Sequence, residues 1–215
     1  MNRKRIQRLM REMGWVRVKK RKKRRTTQSQ HLFPRYPNLV QDLAVVRPDQ
    51  VWVADLTYIY LHNECVYLAV VMDVFTRSLR GWHLGRSLDE QLTWTALHQA
   101  LAQRKPEIHH SDQGVQYATT RYVQSLESAK VQISMAAVGE ATQNGYAERV
   151  IRTIKEEAVE LSEYRDYHDA FQQIGRFIEE VYNRKRIHSA LGYLTPSEFE
   201  NQWQAQLSAM RVVMN

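Results

Sequence analysis

Three acidic residues stand where an acid needs a reason. Asp55 lies inside VWVADLTYIYL (residues 51–61), a run so rich in β-branched and aromatic residues that it reads as a strand. A carboxylate in such a strand is costly to ionise unless a base or a metal compensates it. Asp112 lies in the glycine-containing loop of HSDQGVQY, just past a short strand ending near His110, where α/β sheets present ligands. Glu148 belongs to QNGYAERVIRTIKEE (143–157). At 3.6 residues per turn this segment places Ile151, Ile154, Ala158 and Leu161 on one apolar stripe, with Glu148, Arg152 and Lys155 beside it. Three carboxylates without cysteine suit Mg²⁺ or Mn²⁺. Two such ions about 4 Å apart would clamp the attacking and leaving oxygens of a phosphodiester. The residues alone also allow a plainer reading, with the aspartates as cap or turn residues and Glu148 in charge pairs on a solvated helix. The sharper one requires the strands bearing Asp55 and His110 to be neighbours, so that the three acids converge at one sheet edge.

The elements that would position these acids follow in order. After the strand at 51–61, His62, Asn63 and Glu64 make a hairpin turn into a nearly all-apolar strand at 65–75, and a third strand covers 78–85; short connections make the three an antiparallel meander. A helix over 88–103, the strand near His110, a helix over 120–129 and a strand at 131–135 complete five strands. The pattern is α/β, a sheet of mixed direction with helices on its faces. The segment AAVGEATQNG (136–145) has two glycines and no apolar periodicity, and is expected to be mobile. An amphipathic helix over 166–184 buries Phe171, Ile174, Phe177, Ile178 and Val181, and a short helix starts at Thr195-Pro196.

Charge divides the chain. Residues 1–36 hold 14 Lys and Arg against one acid, Glu12, a net of +13, while the other 179 residues carry 17 bases and 22 acids, a net of −5. The densest part is Lys19, Lys20, Arg21, Lys22, Lys23, Arg24 and Arg25. A basic arm on a mildly acidic body points to a polyanion, DNA above all. Ahead of it, residues 2–13 form a short basic amphipathic helix ended by Gly14, too small to fold alone. One cysteine, Cys65, excludes a disulfide framework or a cysteine-rich zinc site and suggests a reducing, cytosolic setting. No run of 18 apolar residues and no secretory signal is present, so no membrane is expected. His109 and His110 are expected to be structural, Asp73 to serve a turn or an ion pair near Arg77, and Trp52, Trp82 and Trp94 to be core. The cluster Arg184, Lys185, Arg186 and His188 is open between DNA contact and simple solvation.

WVADLTYI around Asp55, HSDQGVQY around Asp112, and Glu148 after 35 intervening residues, with Lys155 seven positions on, resemble the DDE transposase and retroviral-integrase superfamily. The closing YNRKRIHSALGYLTPSEFE (182–200) is similar to the end of the core in insertion-sequence-three-like bacterial transposases, and NRKRIQRLMREMGW resembles the last helix of that family's helix-turn-helix region. The resemblance implies an RNase H-like fold over residues 45–203, a basic arm at 1–36 left from a longer DNA-binding region, and a tail at 204–215. It implies two divalent ions, Asp55 bridging them and Asp112 and Glu148 holding one each. DNA strands would be cleaved by water and then joined through the freed 3′-hydroxyl. Lys155 would contact transposon-end phosphates with help from Arg152, and Gln143 and Asn144 would touch DNA from a mobile loop. The expected partners are transposon ends, target DNA, further copies of the chain and a companion helix-turn-helix protein encoded upstream, all in a bacterial cytoplasm and nucleoid. The alternatives are a non-autonomous DNA-binding relative that mixes with full-length transposase, and a structure-selective nuclease on the same fold.

Overall fold

The computed structural model describes Met13, residues 33–137 and residues 144–213, the side chains of 211–213 excepted. The expected N-terminal helix, the basic run 19–25, Gln143 and most of the 136–145 segment lie outside the described residues.

The strands are β1 (Val51–Tyr60), β2 (Cys65–Asp73), β3 (Leu79–Gly85), β4 (Ile108–Ser111) and β5 (Gln132–Met135), ordered β3-β2-β1-β4-β5. The expected meander forms, with Leu61 N–H donating to the Glu64 carbonyl at 2.9 Å to close the first turn. β1 pairs antiparallel with β2 and parallel with β4, and β4 pairs parallel with β5. The parallel pairings require crossovers. Helix α1 (Glu90–Gln103) supplies one, started by Asp89, whose carboxylate accepts Leu92 N–H at 3.2 Å. Helix α2 (Thr120–Ser128) supplies the other.

Alternation along β1 divides two cores. Val51, Val53 and Ile59 join Leu68, Val70 and Met72 under helices α3 (Gly145–Ile154) and α4 (Tyr167–Arg176), while Trp52, Ala54 and Leu56 join Ala69 and Val71 under α1 and α2. Asp55 belongs to the odd-numbered series and therefore faces the side that α3 covers. α4 approaches the sheet closely at Gly175, where a Cβ would stand 2.6 Å from the Trp82 ring.

Both α3 and α4 end in π-helical turns, Lys155–Val159 and Phe177–Tyr182. The first corrects the expected stripe. Ile151, Ile154 and Ala158 are buried, together with Ala147 and Val150, but Leu161 is 77% exposed, because the wider turn shifts the helical phase and the helix ends at Val159. A helical turn at Val115–Ala118 was not foreseen. The last helix, α5 (Pro196–Val213), is longer than expected and runs unbroken through residue 203; nothing from 204 to 213 is proline or glycine. Thr195 and Glu198 cap it reciprocally, at 2.9 Å and 3.2 Å.

α5 is fastened to the sheet by charge and by rings. Buried Arg80 donates to both oxygens of Glu200 at 2.8 and 3.0 Å and lies 3.1 Å from Asp49, while Arg104 reaches Glu200 at 2.8 Å and Asp49 at 3.3 Å. The Phe75 ring sits 5.4 Å from that of Phe199 and 4.9 Å from that of Trp203. Among the described residues no helix is long and apolar enough to cross a membrane.

Candidate active site

The strands bearing Asp55 and His110 are neighbours. Val53 pairs with His110 across β1 and β4, so two residues further along each parallel strand Asp55 comes beside Asp112. Asp55 pairs with Val70 on its other flank. Asp55 and Asp112 therefore lie on the two central strands of the sheet, just past the point where the parallel pairing of β1 with β4 stops. The hairpin to β2 and the crossover to β4 together enclose β1.

Asp55 Oδ1 accepts Leu56 N–H at 2.7 Å. Burial first, then the charge of Asp112 and more weakly that of Glu148, push the Asp55 carboxyl from 3.8 up to about 8, against the opposing pull of Leu56 N–H and Lys155. Asp112 is held by a local turn, its Oδ1 accepting Gly114 N–H at 2.9 Å while Ser111 Oγ donates to its carbonyl at 3.0 Å. A Cβ on residue 114 would lie 2.9 Å from Asp112 Oδ1 and 3.3 Å from Gln116 Oε1, so any larger residue there would displace the Asp112 carboxylate. Beneath them Tyr117 is 2% exposed. Burial and the charges of Asp55 and Asp112 hold its phenol protonated well above the usual range.

Glu148 is presented by α3, which docks through Ala147, Val150, Ile151, Thr153 and Ile154 and leaves Glu148 and Arg152 exposed. The helix start is fixed by Asn144, whose Nδ2 donates to the Ala54 carbonyl at 3.0 Å, one residue from Asp55. Expected to touch DNA, Asn144 is 4% exposed and sits as a clamp between α3 and β1. Lys155 leans over the Tyr58 ring, Nζ 4.5 Å from the centroid, on the same side of the helix as Glu148 and Arg152. The three carboxylates thus share one electrostatic neighbourhood without forming a closed cage: among the described residues no three His, Cys, Asp or Glu are arranged as a ready metal cluster.

The residues expected to be structural are so placed. His109 Nε2 and the Tyr122 hydroxyl are 3.0 Å apart, and His110 Nδ1 lies 2.8 Å from Ser134 Oγ. Asp73 closes its turn by accepting Thr76 N–H at 2.7 Å and Asp49 N–H at 2.6 Å, with Arg80 as the cation that favours its ionised form. Trp52 and Trp82 are core; Trp94 is half-buried, its indole donating to Ser125 Oγ at 3.1 Å. Arg186 is spent on Glu157 at 2.7 Å. Tyr117, Gly114 and the clamping role of Asn144 are what sequence reasoning missed. The D-x-G spacing could have revealed Gly114, whereas no local signal marks the other two.

A mixed five-stranded sheet carrying one carboxylate on its central strand, one just past the adjacent parallel strand and one on a covering helix defines the class, an RNase H-like polynucleotidyl transferase of the DDE type. The comparisons agree. Residues 45–141 and 129–196 match two families described as integrase core domain. The chain is 36% identical over 203 residues to the insertion element IS600 uncharacterized 31 kDa protein of Shigella sonnei, covering 93% of this chain and 75% of that one. It is 34% identical over 203 residues to the transposase for insertion sequence element IS904 of Lactococcus lactis, covering 93% and 80%. The HTLV-2 integrase catalytic core domain, solved in complex with magnesium, superposes with a TM-score of 0.56 at 16% identity over 71% of this chain and 97% of that one, which establishes the shared fold. The chain belongs to the insertion-sequence transposases with an integrase core and is a catalytic core of DNA transposition.

Proposed function

We propose that Asp55, Asp112 and Glu148 are the catalytic acids and hold two divalent cations, Mg²⁺ or Mn²⁺, during cleavage and joining of DNA strands. The observation that carries this is the β1–β4 register, which brings Asp55 beside Asp112 on the face that α3 covers, close enough for Asp112 and Glu148 both to push the Asp55 carboxyl up. Three carboxylates gathered in one electrostatic neighbourhood repel one another, and their hard oxygens fit a hard divalent ion. Bound there, the cations would supply Lewis-acid stabilisation of charge at the phosphodiester. The chain's own contribution is positioning. The β1–β4 register fixes Asp55 beside Asp112, Gly114 N–H orients Asp112, and Asn144 together with the buried face of α3 sets the approach of Glu148. Arg152 and Lys155 lie about one and two turns along from Glu148, placed to bind the phosphates flanking the reacting bond. The arm at 1–36, with Lys19 to Arg25, and Gln143 would add further DNA contacts to a core at 45–203.

On this reading the protein works in the bacterial cytoplasm on nucleoid DNA, as a homo-oligomer that bridges two transposon ends. A helix-turn-helix protein encoded upstream would be a companion in end recognition. The rival reading, a regulator that only binds DNA, is disfavoured by three intact carboxylates and by relatives aligned along three-quarters or more of their length. Glu148→Gln tests the proposal: cleavage and joining of a pre-nicked end should fall at least a thousandfold with DNA affinity within about twofold of wild type. Turnover at the wild-type rate would remove Glu148 from the mechanism.

A further inference from the structure

Residues 183–195 join α4 to α5 and are built more firmly than a connection requires. Asn183 anchors one end, its Oδ1 accepting Leu79 N–H at 2.9 Å and its Nδ2 donating to the Leu79 carbonyl at 3.1 Å. His188 and Leu194 form an antiparallel bridge, with His188 N–H donating to the Leu194 carbonyl at 2.9 Å and Tyr193 N–H to the His188 carbonyl at 3.0 Å. Arg186 contacts both oxygens of Glu157 at 2.7 to 3.0 Å, which ties the loop to the helical turn containing Lys155.

At the tip of this frame two consecutive residues adopt left-handed backbone, Gly192 at φ 67° and Tyr193 at φ 62°. Glycine accepts that conformation without cost; a bulky side chain does not. Asp49 and Arg77, also left-handed, recover the cost through contacts. Asp49 binds the Trp52 indole at 2.9 Å as well as two arginines, and the Arg77 guanidinium stacks 4.1 Å from the Tyr146 ring. The ring of Tyr193 is 70% exposed and makes no side-chain hydrogen bond or ring contact among the described residues. Among the described residues no contact of the ring offsets the cost of a tyrosine at this position. The surroundings are cationic: Arg184 and Lys185 are exposed, Arg186 is neutralised by Glu157, and 183–195 contains no acid.

We propose that this loop is a DNA-contacting surface separate from the carboxylate site, in which Arg184 and Lys185 neutralise phosphates and Tyr193 stacks on an unpaired base of the DNA being processed. Strained backbone that displays an exposed aromatic ring on a loop also carrying exposed cations suits a single-stranded flank, since stacking accepts any base while the cations follow the phosphates. The proposal rests on the reading of the chain as a strand-transferring enzyme and places that enzyme's grip on DNA beyond the three acids.

The test uses the full chain with two DNAs, a blunt duplex and the same duplex carrying a single-stranded flank. Tyr193→Gly should weaken binding of the flanked DNA on the order of tenfold, leave the blunt duplex nearly unaffected, and hold or raise Tm. Arg184→Ala/Lys185→Ala should flatten the slope of log affinity against log salt by about 1.5. Tyr193→Gly binding both DNAs as wild type does would overturn the proposal, as would a fall in Tm, which would make the ring structural. A changed sedimentation coefficient with DNA affinity intact would also overturn it, by giving the surface to a second protein chain. Cleavage and joining by the wild type, followed in parallel, separates the two claims: an active wild type with indifferent loop variants sinks the loop alone, and an inactive wild type sinks the enzymatic reading whatever the loop does.

Discussion

Replacing Asp55 with Asn isolates the energetic cost of gathering the three acids. Asn keeps the shape and an oxygen for Leu56 N–H, which Asp55 Oδ1 accepts at 2.7 Å. The folded-state pKa of Asp55 is raised from 3.8 to about 8. Stability from the neutral carboxyl is therefore complete below pH 4 and is lost as pH rises through 8. At about 1.4 kcal/mol per pKa unit the ceiling is about 6 kcal/mol. Partial exposure and adjustment of neighbouring charges reduce the expected value to about 2–4 kcal/mol, or roughly 5–15 °C for a chain of this size. The assay is thermal unfolding in EDTA from pH 4 to 8.5. The variant should match wild type at pH 4 and exceed it progressively toward pH 8.5, and added Mg²⁺ should close the gap by stabilising wild type. A gap independent of pH, or a variant less stable at pH 8, would refute the reasoning.

Other consequences follow from the positioning contacts. Gly114→Ala, whose Cβ would lie 2.9 Å from Asp112 Oδ1, should lower strand-transfer turnover by about 10- to 100-fold, the scale of a catalytic group displaced by an ångström. Tm should change by less than about 5 °C, since the closest approach falls on the Asp112 carboxylate and not on the core; unchanged turnover would show that the Asp112 turn does not matter. Glu200→Ala should destabilise the fold by about 3–5 kcal/mol because it strands buried Arg80, which donates to Glu200 at 2.8 and 3.0 Å. Calorimetry showing a loss under about 1 kcal/mol would indicate that Asp49 alone satisfies Arg80.

The fold was legible where pattern is local. β-Branched and apolar runs marked β1 and β2, short connections made the meander, and Asp89, Thr195 and Pro196 marked helix starts. Asp55 stood out because an acid inside an apolar strand needs a partner, and Asp112 and Glu148 were singled out with it by a spacing that resembles a known family. What stayed hidden depends on contacts between distant segments. Arg80 and Glu200 are 120 residues apart, Asn144 reaches Ala54 across 90, and neither pairing leaves a mark on its neighbours. Leu161 was misplaced because an ideal 3.6-residue period cannot foresee the π-helical turn at Lys155–Val159. The placing of Asp55 and Asp112 on the central strands follows from strand order, which depends on crossover topology more than on the residues of any one strand.

The most direct test of the central claim is anomalous scattering from crystals of the protein with transposon-end DNA and Mn²⁺. Two peaks about 4 Å apart are expected, both against Asp55, one also against Asp112 and the other against Glu148. No peak at these carboxylates, or ions held only elsewhere, would contradict it.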